Sequence, residues 1–540
     1  MKKTLITIAA GCRNNPAVNA ATAWRTALRQ AVAENAAGVH FPAGEYHFYA
    51  PGTTRIFASY SNNDDGLKQI VFYLEKLQDF TVSGDGAKLV FHGRLSPFLV
   101  RECRNITLCG LEIDFAESYA EDAVLLDRNG DTAWMQIGGN WRVSGGKMHF
   151  FHDILDNYSG GLRFTAFDRA TGDYPPSGFG KSCRNQVLKR EKDKVLLPLA
   201  MPDDAPEFYL MRHQGRLNPA VVIDRSVDTV VADVTLRRAG GMGFLAQNSE
   251  NILVENLTVA PAEGRSMGVT DDAVHFSECA GLVEIKNCLL RNTLDDAINI
   301  HGVYRKLRYR VGEYLLEGGH FQQFGIWDGR AGDEMELAKA ATMQSYGVVH
   351  LKSIAPANKQ HCFVKFAEPL PAEYVDGDII RNLRAGKLQV KITGTTISNT
   401  RSRGVLVSGT EYAEVSNCDI HAPGAGIFIA GDMNYWYESG PNRNVVIKDN
   451  IFRRCHYMKS SVSRAPVTVA PEIPQPVPGR FYHGKISLLN NRFILANGDP
   501  ALFLRQVTEC TMQGNTYEAA PGTELKIADI KECGSVSPAD

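Results

Sequence analysis

Asp272, Asp295 and Asp296 lie in two similar stretches, Thr270-Asp271-Asp272-Ala273-Val274-His275 and Thr293-Leu294-Asp295-Asp296-Ala297-Ile298. A spacing of 23 to 24 residues suits one turn of a stacked solenoid. Adjacent rungs of such a solenoid lie about 4.8 Å apart, so three carboxylates can share one small patch. Clustered carboxylates repel, and burying one unpaired is costly. The bland explanation is that they cap backbone N–H groups at corners, where Asp is common. Glycosidic bond cleavage uses such a group directly: a carboxylic acid protonates the leaving oxygen while a carboxylate activates water, about 6.5–9.5 Å away in inverting enzymes. The residues alone do not separate acid from base. We assign Asp295 as acid, with Asp272 and Asp296 holding the water.

The neighbours offer hydrogen bonding. His275 follows Asp272 by three positions, and Asn299 and His301 follow Asp296 by three and five. Each is expected to bind sugar hydroxyls or orient a carboxylate. Tyr435, Trp436, Tyr437 and Glu438 form an aromatic and acidic run that suits a solenoid core poorly, because consecutive strand residues point opposite ways. Trp436 is expected to stack on a sugar face. Glu438 is expected to bind hydroxyls, and is a second candidate for the acid. Arg94 and Arg401 are possible hydroxyl donors. The Asp and His spacing fits no standard metal motif, so no metal or other cofactor is expected. GxGxxG and Walker patterns are absent, and the Ser-rich stretch YMKSSVS has no G-x-S-x-G elbow.

These residues must be positioned by a regular scaffold. Short aliphatic units with an Asn or Gly at a corner recur, as in ENILVENLTVA from Glu250, GLVEIKNCLLRN from Gly281 and KISLLNNRF from Lys485. Asp233 to Asn256, Gly394 to Asn417 and Asn490 to Gln513 are each 23 positions. A fixed period in the twenties marks a solenoid. Leucine-rich repeats share it, but their leucine and asparagine pattern is missing. The reading is all-β: a right-handed parallel β-helix with two inserted β-barrel-like subdomains.

The division that follows is a cap and first rungs over 1–117, an insertion over 118–220, central rungs carrying the aspartates over 221–302, a second insertion over 303–388, and C-terminal rungs over 389–540. The segment 465–480 is Pro-rich and reads as an extended surface loop. A helix is expected from Ala20 to Ala37, with Trp24, Leu28, Ala31 and Val32 on one face.

Bulk properties exclude some partners. The 540 residues carry 58 Lys+Arg against 60 Asp+Glu, so no basic excess points to nucleic acid or an anionic membrane. No apolar stretch approaches the ~18 residues of a transmembrane span. Eleven cysteines without CxxC pairs read as buried thiols rather than a disulfide framework. LITIAA from Leu5 is short for a signal h-region and could equally be a first strand. Localisation and oligomeric state are not legible.

Several stretches together resemble glycoside hydrolase family 110, the exo-α-galactosidases that remove terminal α-1,3-linked galactose, including that of the blood group B antigen. They are SNNDDGLKQIVF from Ser61, FHGRLSPFLV from Phe91, DAVHFSECAG from Asp272, LDDAINIHG from Leu294 and WYESGP from Trp436, in family order. The resemblance implies a right-handed parallel β-helix with inserted β-barrels and metal-free inverting hydrolysis. It also implies catalytic aspartates at Asp272, Asp295 and Asp296, terminal α-galactosyl glycans as substrate, and a periplasmic or secreted setting. The rival within enzymes is a polygalacturonase-like polysaccharide hydrolase, but its Gly-His-Gly and Arg-x-Lys are not where they should be. The rival outside enzymes is a non-catalytic carbohydrate-binding solenoid. Three carboxylates argue against it, since neutral sugars are bound at less desolvation cost by uncharged groups.

Overall fold

The computed structural model describes residues 3–150, 161–178, 180–212, 215–312, 314–318, 329–358, 361–433, 435–458 and 462–537. Short strands stack in parallel ladders along a solenoid. One ladder runs from Ser96–Arg101 through Val221–Asp224, Phe244–Gln247, Val274–Ser277 and Ile298–Val303 to Val405–Val407 and beyond. A second includes Glu250–Glu255, Ala280–Lys286 and Leu388–Thr393. A third includes Thr258–Val259, Leu289–Thr293 and Thr396–Thr400. Alternation decides which side chains enter the core: Val274, Phe276, Ile298 and Ile300 are fully buried inside, while His275, Ser277, Asn299 and His301 point the other way.

The corners explain the Asn and Asp periodicity. Asp233, Asn256, Asn287 and Asn417 all have φ near +53°, a left-handed conformation that Asn and Asp tolerate better than other side chains. Asn256 donates to the Asp233 carboxylate one rung away at 2.9 Å. Asn450, Asn491 and Asn515 form an amide ladder at 3.0 and 2.9 Å. The partner of Asn490 is Gly514 rather than Gln513, because Leu489 pairs with Gln513 and the next residue makes the turn.

Both insertions stand outside the ladders. The first forms a seven-stranded antiparallel sheet, from Ala120–Asn129 to Phe208–Arg212, curled over its own apolar core. The second is a closed antiparallel barrel from Arg305–Val311 to Ile379–Asn382.

Two expectations need correction. Val467–Val469, inside the proposed Pro-rich loop, is a rung strand paired with Ile427–Ile429 and Leu502–Leu504; both its valines are buried, and Pro466 and Pro471 lie just outside it. The N-terminal helix is Ala20–Ala33, capped by the Asn19 side chain on the Ala21 N–H. Its buried face is Ala20, Trp24, Ala27 and Ala31, while Val32 is exposed, because the stripe follows the i, i+4, i+7 spacing. Leu5–Thr7 is a strand paired with Gly38–Phe41. All eleven cysteines are free thiols, and Cys288 and Cys418 are buried. No helix among the described residues is long and apolar enough to cross a membrane.

Candidate active site

Ladder register builds the site. Val274 pairs with Ile298 and Ile298 with Val405, so Asp272, Asp296 and Arg403 occupy equivalent places on three consecutive rungs. Asp271 and Asp295 occupy the place beside them. The Ala273 N–H donates to the Asp296 carbonyl, and the Ala297 N–H to the Arg403 carbonyl, holding the stack. One oxygen from each of Asp272, Asp295 and Asp296 lies within 4.8 Å of the others. This is closer than the gap expected of an inverting pair: straight stacking of Asp272 on Asp296 leaves no lateral offset between them.

Each carboxylate has its own environment. Asp295 accepts from Arg401 Nη2 at 3.0 Å on Oδ1 and from Arg216 Nη2 at 2.6 Å on Oδ2. Burial pushes its pKa up, but Arg401, Arg216 and Arg403 outweigh it and hold the carboxyl below the usual range. Asp296 accepts from the Arg403 N–H and Nε at 2.9 Å each on Oδ1, and from Nη2 at 2.8 Å on Oδ2. Burial and the Asp295 charge raise its pKa against Arg403. Three donors on its two oxygens nevertheless suit an ionised acceptor. Asp272 has no guanidinium hydrogen-bonded to it. Its Oδ1 accepts the Asp296 N–H at 3.0 Å, and its Oδ2 lies 2.7 Å from His275 Nδ1. Burial first, then the charges of Asp295 and Asp296, raise its pKa well above the ordinary value.

The surroundings do not favour Asp295 as the acid: two arginines hold its carboxyl below the usual range, whereas burial and its acidic neighbours raise that of Asp272.

Glu438 reaches the site by a backbone device. Asp432 accepts the N–H groups of Tyr435, Trp436 and Tyr437, folding this loop so that Glu438–Ser439 pairs antiparallel with Gly302–Val303. Glu438 is buried and accepts from Asn62 Nδ2 at 2.5 Å and Asn299 Nδ2 at 3.3 Å. Burial raises its pKa, while positive charge on His301 or His275, where either ring carries it, and the Asn62 bond lower it. Its two amide donors suit a hydrogen-bond acceptor rather than a reserve acid.

Asp272, Asp295, Asp296, Asn299, Arg401, Trp436 and Glu438 line one cavity of about 1620 Å³. Arg216 stacks over the Trp436 ring at 5.9 Å. Arg163, Thr165 and Arg184 from the first insertion form another wall. The volume exceeds the few hundred Å³ of a single-sugar pocket, leaving room for the sugar behind the scissile bond.

Three expected residues do not reach the cavity. His275 and His301 are buried behind Asp272 and Glu438, so binding of sugar hydroxyls by them is corrected. Arg94 also lies away from the lining residues. The strand period put both imidazoles on the outward side, but the 432–440 loop covers that side here.

Arg216, Arg403 and Asn62 were missed. Arg403 was findable, since it stands two positions before Val405, as Asp296 stands before its partner Ile298. Arg216 comes from the end of an insertion, where no period applies.

Among the described residues, the aspartate trio has the spacing to hold a cation. Its donor set does not fit one: both oxygens of Asp295 and of Asp296 are engaged by guanidinium groups that already neutralise them.

A solenoid wall carrying three clustered carboxyls, two of them paired with arginines, beside an aromatic face in a cavity with room for more than one sugar defines a β-helix glycoside hydrolase. The family descriptions "GLAA-B beta-barrel domain II" and "Right handed beta helix region" match residues 315–380 and 381–529. "Alpha-1,3-galactosidase B" of Bacteroides thetaiotaomicron is 29% identical over 504 residues, covering 88% of this chain and 80% of that protein. "Alpha-1,3-galactosidase B" of Bacteroides fragilis is 29% identical over 555 residues, covering 96% and 91%. "Alpha-1,3-galactosidase A" of Shewanella woodyi is 26% identical over 499 residues, covering 90% and 81%. Along most of its length the chain is thus similar to proteins named as α-1,3-galactosidases, in line with the family resemblance of its motifs.

Proposed function

We propose that the protein is an exo-acting α-galactosidase that removes terminal α-1,3-linked galactose from oligosaccharides or glycoconjugates by an inverting route. The observation that carries the hydrolytic reading is the unequal pairing of the trio: Arg216, Arg401 and Arg403 hydrogen-bond Asp295 and Asp296, while Asp272 meets only a backbone N–H and an imidazole. The relatives named as α-1,3-galactosidases align along most of the chain, which supports the linkage.

Asp272 donates its proton to the glycosidic oxygen as the bond from the anomeric carbon breaks. Water adds to that carbon and gives its proton to the Asp295–Asp296 pair. Trp436 offers an apolar face for galactose, and Asn299 and Glu438 offer hydroxyl partners. The wall of Arg163, Thr165 and Arg184 lies where the departing sugar can rest.

The test is release of galactose from defined α-1,3, α-1,4 and α-1,6 disaccharides. Preferential cleavage of the α-1,3 linkage is expected. Turnover of a polygalacturonate with none of any α-galactoside would replace this reading with the polygalacturonase-like one.

A further inference from the structure

A buried chain of hydrogen bonds ends on the proposed acid. His301 Nδ1 lies 2.9 Å from the Gly302 carbonyl, His301 Nε2 lies 2.9 Å from His275 Nε2, and His275 Nδ1 lies 2.7 Å from Asp272 Oδ2. His275 is 0% and His301 1% exposed. A carbonyl oxygen accepts but never donates, so the first contact requires a proton on His301 Nδ1. A neutral His301 then has a bare Nε2, which must accept. His275 must donate from its Nε2, so a neutral His275 has a bare Nδ1. The remaining contact closes only if Asp272 Oδ2 carries the proton.

We propose that His301 and His275 are positioning residues that transmit the polarity of the Gly302 carbonyl through two imidazoles and hold the proton on Asp272.

The inference rests on the hydrolase reading only in its consequence for catalysis; the placement of the protons stands by itself. Alternatives move positive charge onto one imidazole and leave Asp272 ionised. Burial opposes them, lowering the pKa of His275 to about 4 and that of His301 below its ordinary value. The charged groups that face the chain are few. Asp271, Asp295, Asp296 and Arg216 face Asp272. Glu438, whose Oε1 is 3.7 Å from His301 Nε2, faces both imidazoles; Arg216, Asp296 and Asp295 also act on His275, and Glu278 faces His301. Glu438 favours a cation there, but it is already held by Asn62 and Asn299. In turnover the proton leaves Oδ2 for the departing oxygen, and solvent returns one after the base has released its own. Between turnovers the bare His275 Nδ1 favours the protonated acid, because hydrogen bonding to the neutral form raises a carboxyl pKa.

Two measurements test this. In the first, ¹⁵N-histidine spectra of the full-length wild-type protein at pH 7 should show neutral rings, His275 protonated on Nε2 and His301 on Nδ1. Assignment would come from the signals lost in H275Q and H301Q. A His275 protonated on Nδ1, or on both nitrogens, overturns the proposal. The second is the pH profile of kcat/KM on an α-1,3-galactosyl disaccharide. In H301A, His275 is free to turn its proton toward Asp272, which favours the carboxylate. The alkaline limb should move down by about one pH unit. H301Q keeps an acceptor for His275 and a donor for Gly302, and its limb should stay at the wild-type position. A folded H301A with an unmoved limb, or equal movement in both variants, overturns the proposal. A wild type that releases no galactose would remove the hydrolase reading, and the imidazole spectra would still decide where the protons are.

Discussion

The main-chain N–H of Asp296 donates to Asp272 Oδ1 at 3.0 Å, so the two aspartates that stack on successive rungs are joined through backbone as well as by position. The contact orients Asp272 without adding a full charge beside it. The first rung thus supplies a neutral acid, while the second supplies an ionised partner clamped by Arg403.

Substitution should separate the roles. D272N, D295N and D296N should each lower kcat by roughly 10²–10⁴, the range of acid–base contributions. A substrate with an acidic phenol as leaving group needs little protonation, so it should recover most of the loss in D272N and little in the other two. Equal recovery in all three would cancel the assignment of Asp272 as acid.

Arg403 supports Asp296 in the fold as well as in catalysis. R403A leaves a 1% exposed carboxylate without its main partner. Breaking a buried pair in this way should cost roughly 3 kcal/mol at neutral pH. The cost should shrink at acidic pH, where Asp296 can take up a proton instead. Urea unfolding at pH 7 and pH 5 measures both, and a deficit independent of pH would mean the loss is one of packing.

Activity should follow a bell. Asp272, raised by burial and then by Asp295 and Asp296, must be protonated, so kcat/KM should fall as pH rises through its folded pKa. Asp295, which Arg401 and Arg216 hold low against burial, must be ionised, so the acid limb should appear below the ordinary aspartate range of about 3.9. The stability terms have matching signs. The Asp272 contribution is complete below the unfolded value and is lost as pH rises through the folded one. The Asp295 contribution is present above the unfolded value and is lost as pH falls through the folded one. R401A should move the acid limb upward, and an unchanged limb would place the base elsewhere.

How far the sequence carries this site depends on where each residue sits in the repeat. Asp272 and Asp296 were legible because 24 positions is one rung, and the rung is written in the aliphatic alternation around Val274 and Ile298. Which aspartate is protonated was not legible. That depends on Arg216, contributed from the end of an insertion without period, and on Arg403, one rung further on and 107 residues away across the second barrel. The outward side of His275 and His301 was legible too, but their burial was not, because the Glu438–Ser439 strand that covers them is set by the fold-back of Asp432. The valine and threonine residues at 467–469 were hidden by the prolines that flank them.

Metal removal is a separate check. The oxygens of Asp295 and Asp296 are bonded to guanidinium groups, and Asp272 is expected to carry a proton, so chelation has no ligand set to empty. Prolonged EDTA treatment should leave turnover within about twofold of the untreated rate. A large loss restored by one divalent ion would demand a rearranged trio and a different account of the water.

The stereochemical outcome is the most discriminating expectation. The trio is tighter than the roughly 6.5–9.5 Å typical of inverting pairs, so carboxyl separation does not by itself argue for inversion. The argument comes from the state of each oxygen. A retaining enzyme needs a carboxylate free to attack the anomeric carbon, forming a covalent intermediate. Asp295 shares one oxygen with Arg401 and the other with Arg216, and Asp296 shares both with Arg403. Such bonding lowers nucleophilicity but leaves lone pairs that can hold a water. Direct attack by that water gives β-galactose from an α-linked substrate. ¹H NMR within the first minutes, before mutarotation, should show the β anomer first. With the 432–440 loop and the first insertion walling the cavity, galactose should leave one residue at a time from a chain end. Initial α-galactose would require a free nucleophile among these carboxylates and would end the inverting proposal. Shortening of a long polymer without free galactose would end the exo one.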